Sequence, residues 1–263
     1  MTTHGDNRGS EQRAEVTLVL EPTTIAEWDV RDLLSGAPSA GLALATRDEA
    51  GRLLDDVALS VPAVSDVHEL ADFAGEHGIP LSHAVAAESE RLDFHLMELP
   101  LGICVPAGRE LTRLRLRLDA EPDATAGATI LAYDVFPAQP DRSGEPGEPA
   151  PAAPAGPADV SSELTFVRRP DQQALGLRLD EPGQWVGQPP SVSCAERLAN
   201  PVIWDVAGPA IGGRFTAYVI WRVSRQVPFT VLASLLGEVR GSESGHLRKA
   251  QFRSAAQRYR VGS

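Results

Sequence analysis

The chain has 263 residues, of which 43% are hydrophobic and 23% charged, a composition typical of a globular protein with a sizeable core. Its formal net charge of −12 disfavours nucleic-acid binding, because an acidic surface repels phosphate. No apolar run approaches the roughly 20 residues needed for a transmembrane helix. The N-terminal stretch is polar, so we expect a cytoplasmic protein, and the arginine-, alanine- and glycine-rich composition indicates a bacterial one.

A proline-rich segment at 137–158 predicts a division of the chain. Seven of its residues are proline, and such a segment buries too little apolar surface to order itself. We interpret it as a linker between an acidic module at 1–136 and a second module at 159–240, with a basic tail at 241–263. The alternative is a long insertion between two sheets of one larger sandwich.

The predicted elements of the first module are strands with two short helices. A capping box at Thr24–Glu27 predicts a helix that ends at Gly36, and Ser65 predicts a second helix that ends at Gly78. Strands are predicted, in chain order, at 14–20, 41–46, 53–61, 92–99, 102–105, 111–118 and 129–136. The close spacing of the last four favours an antiparallel meander.

The strand Leu111–Leu118 has the clearest pattern. Three leucines (Leu114, Leu116, Leu118) alternate with three arginines (Arg113, Arg115, Arg117). A period of two places them on opposite faces of a strand, so the leucines should face a core. The arginines should then bind a partner or pair with carboxylates on neighbouring strands, such as Asp93 or Asp134.

The second module is also predicted to be strand-rich, with strands at 163–167, 174–179, 201–206, 214–225 and 229–239. Arg214–Arg225 has apolar residues on both faces, which predicts a central strand covered on both sides. Residues 246–260 fit either a helix or a last strand. We therefore expect a mainly β protein with a few short helices, α+β in its first module, made of two antiparallel β-sandwich-like modules and the linker.

Catalytic, metal and cofactor motifs are missing from the sequence. Four histidines fall close together (His68, His77, His83, His95), but their spacing matches no metal pattern. Serine motifs with the spacing of a nucleophile elbow and phosphate-binding glycine loops are missing too. Cys104 and Cys194 are expected to be small buried hydrophobes. We predict no catalytic residue, no metal and no cofactor.

The basic tail offers the remaining candidate contacts. The first module carries 24 acidic and 10 basic residues, so the tail can dock on it or bind an outside partner or a membrane surface. The candidate partner-binding residues are Arg113, Arg115, Arg117, Arg248, Lys249, Arg253 and Arg258.

These observations favour a non-catalytic interaction or adaptor protein whose partner is another protein. One alternative is a hydrolase with a dispersed site near His68–His95. A second is a membrane-acting effector that uses amphipathic strands such as Leu111–Leu118 and Arg214–Arg225. The sequence leaves the oligomeric state open.

Overall fold

A computed structural model describes residues 14–35, 41–76, 78, 80–123, 127–136, 162–165, 176–179, 191–195, 198–243 and 245–262. The predicted linker at 137–158 lies outside these residues, as does His77.

The described chain is mostly β, with fifteen strands and four short helices. The strands are β1 Glu15–Thr17, β2 Leu20–Thr23, β3 Ala58–Pro62, β4 Asp66–Glu69, β5 Leu92–Cys104, β6 Arg109–Pro122, β7 Ile130–Phe136, β8 Ser162–Thr165, β9 Gly176–Leu179, β10 Ser191–Ala195, β11 Val202–Ala207, β12 Gly213–Ser224, β13 Phe229–Glu243, β14 His246–Ser254 and β15 Gln257–Val261. The helices are α1 Ala26–Ser35, α2 Arg47–Leu54, α3 Leu70–Glu76 and α4 His83–Glu88. Within the described ranges, no helix is long and apolar enough to cross a membrane.

Two antiparallel sheets contain nearly all the strands. In the first sheet the order is β1-β3-β5-β12-β7, and β4 also pairs with β5. In the second the order is β10-β11-β6-β13-β14-β2, and β15 also pairs with β13. The predicted fold class, mainly β with a few short helices and antiparallel strands, is confirmed, and the predicted linker stays a prediction.

Both sheets combine strands from the two sides of the predicted linker. In the first sheet β12 lies between β5 and β7, and in the second β6 lies between β11 and β13. One main hydrophobic cluster runs from Leu18 to Val261 and takes residues from both sheets. The described residues therefore share one main core rather than the two separate ones expected, and they favour the single-sandwich alternative. Local patterns do not reveal strand order, which explains the difference.

Strands β6 and β12 bury the faces that the sequence predicted. Leu114, Leu116 and Leu118 of β6 lie in the main cluster, as predicted. On β12, Trp221 belongs to this cluster, whereas Ile220 belongs to a smaller one that α3 and α4 cover through Leu70 and Val85. Strand β12 is therefore covered on both faces, as predicted.

Several local predictions are corrected. The predicted helix from Ser65 begins as β4 and becomes α3 only at Leu70. The predicted strand at 53–61 starts inside α2, whose N-terminus is fixed by a capping box between Thr46 and Glu49. Strands β5, β6 and β7 alternate between the two sheets instead of forming a meander. Residues 246–261 form β14 and β15, which settles the open choice in favour of strands.

Strands β8 and β9 stand apart from both sheets. They pair antiparallel with each other, with Leu164 opposite Leu177 and Glu163 opposite Arg178. Among the described residues they form a two-stranded sheet of their own. They are inserted between β7 and β10, which end the strand orders of the first and the second sheet respectively.

Candidate functional site

The arginines of β6 contact helix α1 and strand β11 of the same chain. Trp28 of α1 is only 2% exposed, and the guanidinium groups of Arg113 and Arg115 lie 5.8 and 5.7 Å from its ring centroid. Arg115 donates to both carboxylate oxygens of Asp205, at 2.7 and 3.1 Å, and also pairs with Glu27. Hydrogen bonding to Asp205 is the largest effect that raises the pKa of Arg115.

The pairing partners differ from the expected ones. Arg117 donates to Asp119 of its own strand, with both distances 2.8 Å. Asp93 and Asp134 belong to β5 and β7 of the other sheet, so they cannot flank β6. The arginine face is thus engaged by carboxylates of the same chain, although from elements that the sequence did not indicate.

The basic residues of β14 and β15 contact acidic residues of the first half of the chain. Arg253 pairs with Glu21 at 2.9 Å, and Arg248 lies 3.9 Å from Glu49. Arg260, on β15, pairs with Asp123 at 3.2 Å. These contacts agree with docking on the chain's own acidic residues. Arg258 is exposed, and its binding of an outside partner stays a prediction.

Lys249 is the centre of a buried polar network under α1. Its Nζ lies 2.6 Å from Asp29 Oδ1 and 3.7 Å from Glu238 Oε2, and the side chains of Lys249 and Glu238 are 6% and 0% exposed. Gln251 donates to both carboxylates at 3.3 Å and accepts the backbone N–H of Ile25. Lys249 and Gln251 of β14 both bind Asp29 of α1, so this network links α1 to the second sheet and pairs the buried charges.

The described histidines do not converge. His68 contacts Phe73, with ring centroids 5.3 Å apart and a tilt of 48° between the rings, and His83 begins α4. His95 borders a cavity of about 410 Å³ together with Glu69 and other residues, and burial lowers its pKa. Within the part of the chain that the structure describes, no group of three or more histidine, cysteine or acidic residues could hold a metal. The hydrolase alternative stays a prediction.

The two cysteines differ in exposure. Cys194 is buried, and desolvation raises its pKa to about 12. Cys104 is exposed at the end of β5, which corrects the expectation that both thiols are buried.

Strands β8 and β9 contain a second alternating pattern, which was not singled out from the sequence. In β8 and β9, Leu164, Leu177 and Leu179 alternate with polar residues or glycine. Both strands were predicted, but as ordinary members of the second module. The missed signal is that two short alternating segments lie close together directly after the proline-rich stretch.

The comparisons with known proteins gave weak structural similarities only. No family model and no curated protein matches the chain. A solved structure titled "Pore forming protein" is 8% identical, covers 78% of this chain and 90% of its own, and has a TM-score of 0.32. The Clostridium perfringens NetB toxin in its membrane-inserted form is also 8% identical, covers 75% and 92%, and has a TM-score of 0.28.

The titles of these two neighbours name a pore-forming protein and a membrane-inserted toxin, which the predicted cytoplasmic adaptor does not match, and we withdraw that function and that location. The fold supplies a physical reason for the adaptor's failure, because most of the basic residues on which it depended are engaged within the chain. At these TM-scores the similarity assigns no activity to this protein, so a function must come from its own residues.

Proposed function

We propose that this protein acts on lipid membranes and that the β8–β9 hairpin is the part that enters the bilayer. The observation that carries the proposal is topological. The hairpin pairs with neither main sheet in the described structure and is inserted between two strands that end the sheet orders. It can therefore move without breaking the strand pairing that defines the two sheets.

The hairpin's sequence suits a boundary between water and lipid. Leu164 and Leu177 are register partners, as are Glu163 and Arg178. In the sequence, leucine alternates with a charged residue in each strand, and a period of two predicts that the leucines and the charged residues occupy opposite faces. A hairpin of this kind can turn an apolar face to lipid and a polar face to water.

The strands that the sequence singled out for membrane action fit this role less well. Strand β6 has a neighbour on each side, as does β12. Removing Leu114, Leu116 and Leu118 of β6 from the core would cost about 1.5–3 kcal/mol for each side chain. That total is comparable with the whole stability of an ordinary domain, about 5–15 kcal/mol. Moving the β8–β9 hairpin, in contrast, breaks no strand pair of either main sheet.

Membrane entry by a two-stranded hairpin implies self-association. Each strand of an isolated pair has one edge of unpaired backbone N–H and C=O groups, and each unsatisfied group in hydrocarbon costs several kcal/mol. Pairing with the hairpins of other copies would satisfy these groups. We therefore propose that the membrane-bound form contains several copies of the chain.

The test is dye release from vesicles of phosphatidylcholine and phosphatidylglycerol loaded with carboxyfluorescein. We expect the wild-type protein to release the dye. Leu164→Asp should reduce the rate by about tenfold, because a charge on the lipid-facing side of a membrane strand is destabilising, by about 2–4 kcal/mol for arginine or lysine at the bilayer midplane and by less for aspartate.

Thr165→Asp is the matched control, since it adds the same charge to the neighbouring position on the opposite face. It should release dye at nearly the wild-type rate. The proposal fails if the wild-type protein releases no dye, or if the two variants lose activity equally.

A further inference from the structure

Two arginines with unsatisfied donors line one cavity at the end of the second sheet. The cavity measures about 320 Å³ and is bordered by Gly108, Arg109, Glu110, Arg240, Gly241 and Leu247. Arg109 Nη1 and Arg240 Nε are buried, and neither has a hydrogen-bond partner among the described residues. A buried N–H of a charged group without a partner is costly, so such groups usually meet a water or an ion.

The strand register brings these residues together. Arg109 is the partner of Gly241 across the β6–β13 pair, and Glu110 is the partner of Arg240. A Cβ at Gly241 would lie 2.7 Å from Leu53 Cδ2 and 3.4 Å from Arg109 Cγ. Glycine at this position therefore allows the close packing of Arg109 beside α2, and it leaves the cavity wall free of a further side chain.

The local charge favours an anion. Glu110 pairs with Arg240 through Nη2 at 3.1 Å, which neutralises one of the two guanidinium charges. Glu110 pairs with Nη2, and the buried Nε of Arg240 has no acceptor among the described residues. Arginine binds phosphate and carboxylate oxygens through charge-assisted, often bidentate hydrogen bonds.

We infer that this cavity is a binding site for an oxyanion of the phosphate class, held by Arg109 and Arg240. The group can come from free phosphate or from a phosphate ester on a lipid. Leu247, 55% exposed, borders the cavity and provides an apolar contact for the organic part of an ester. This inference does not rest on the proposed membrane action.

Isothermal titration calorimetry of the full chain with sodium phosphate, against sodium chloride at equal ionic strength, tests the site. We expect saturable binding of phosphate and none of chloride. Arg109→Gln and Arg240→Gln should each weaken the affinity by about tenfold, as expected for the loss of a charged hydrogen bond. Arg253→Gln is the control, because its side chain is 63% exposed and pairs with Glu21 away from the cavity.

A second arm distinguishes the two sources of phosphate. Co-sedimentation with phosphatidylcholine vesicles containing phosphatidic acid, lost in Arg109→Gln and displaced by inorganic phosphate, would assign the site to a lipid headgroup. Phosphate binding with co-sedimentation that Arg109→Gln leaves unchanged would assign it to a soluble ligand. Should Arg240→Gln fail to fold, Arg240→Lys keeps the charge and removes the Nε donor. Absence of saturable phosphate binding, or unchanged affinity in Arg109→Gln, would overturn the inference.

Discussion

At the scale of single residues, Lys249 shows why a charge can be buried in this protein. It is paired with Asp29 and lies 3.7 Å from Glu238, while Gln251 and Thr112 hydrogen-bond to Glu238. The sequence marks Lys249 as one of several basic residues near the C-terminus and gives no sign of this burial. The reason is that its partners are 220 and 11 positions away along the chain.

Replacing Lys249 with Met should destabilise the protein strongly. The substitution leaves Glu238 buried beside Asp29 without a cation, and breaking a buried pair costs about 3–5 kcal/mol. Urea unfolding monitored by circular dichroism gives the free energy of unfolding. Arg253→Met, which removes a mostly exposed pair with Glu21, should change it by about 0.5 kcal/mol or less. Equal effects of the two substitutions would show that burial of Lys249 does not matter.

Substitution by alanine should change the stability of the fold in opposite directions at two glycines. A Cβ at Gly237 would lie 2.1 Å from Phe252 Cζ, whereas one at Gly51 of α2 has nothing within 4 Å. Gly237→Ala should destabilise the fold by about 1–3 kcal/mol through overpacking, while Gly51→Ala should stabilise it by up to about 1 kcal/mol. Thermal unfolding of both variants measures the two signs, and a stabilised Gly237→Ala would contradict the close packing of β13 on β14.

The two thiols should react at different rates. Burial raises the pKa of Cys194 to about 12, so at pH 8 nearly all of it is the unreactive thiol, and its thiolate fraction increases only as the pH approaches 12. Cys104 is exposed and should be alkylated first. Iodoacetamide labelling at pH 8 followed by peptide mass spectrometry measures the rate at each cysteine. Labelling of Cys194 as fast as Cys104 would refute this order.

At the scale of elements, β14 and β15 are integral parts of the second sheet. Both pair with β13, and Phe252 and Tyr259 are buried in the main cluster. The expected basic tail is therefore part of the second sheet, in which β14 lies between β13 and β2. Its helix-or-strand ambiguity could not be resolved from sequence, because buried and exposed residues of β14 do not alternate strictly.

Deleting residues 246–263 should abolish cooperative unfolding. The truncation exposes the part of the core that Phe252 and Tyr259 cover, and each large buried side chain contributes about 1.5–3 kcal/mol. Thermal unfolding by circular dichroism measures the loss. Removing only residues 262 and 263 is the control and should leave the melting temperature nearly unchanged. A sharp transition in the long truncation would mean that these strands are dispensable.

Sequence patterns predicted the type and the buried face of an element where these depend on residues close together in the chain. The alternation in β6 predicted both the strand and its buried face, and the apolar residues of β12 predicted cover on both sides. The same alternation could not show that α1 covers the arginines, because Glu27 is 88 positions from Arg115. After Ser65 the apolar residues have a helical spacing, but residues 66–69, of which only Val67 is apolar, pair with β5 instead of forming the first turn of a helix.

At the scale of the whole molecule, the order of strands determines which segment is free to act. Both sheets interleave strands from the two halves of the chain, so neither half can separate without opening the core. Within the described residues, the hairpin β8–β9 alone pairs with neither sheet. The sequence predicted the two strands and not this isolation, since strand partners lie far apart along the chain.

The proposal predicts that alternate residues of β8 contact lipid, and an environment-sensitive NBD fluorophore tests this directly. It would be attached to Leu164→Cys or Thr165→Cys in a Cys104→Ser background, where the remaining Cys194 is buried. On adding phosphatidylcholine–phosphatidylglycerol vesicles, we predict a large increase and blue shift of emission at position 164 and little change at position 165. Unchanged emission at both positions, or equal changes at both, would contradict insertion of an amphipathic hairpin.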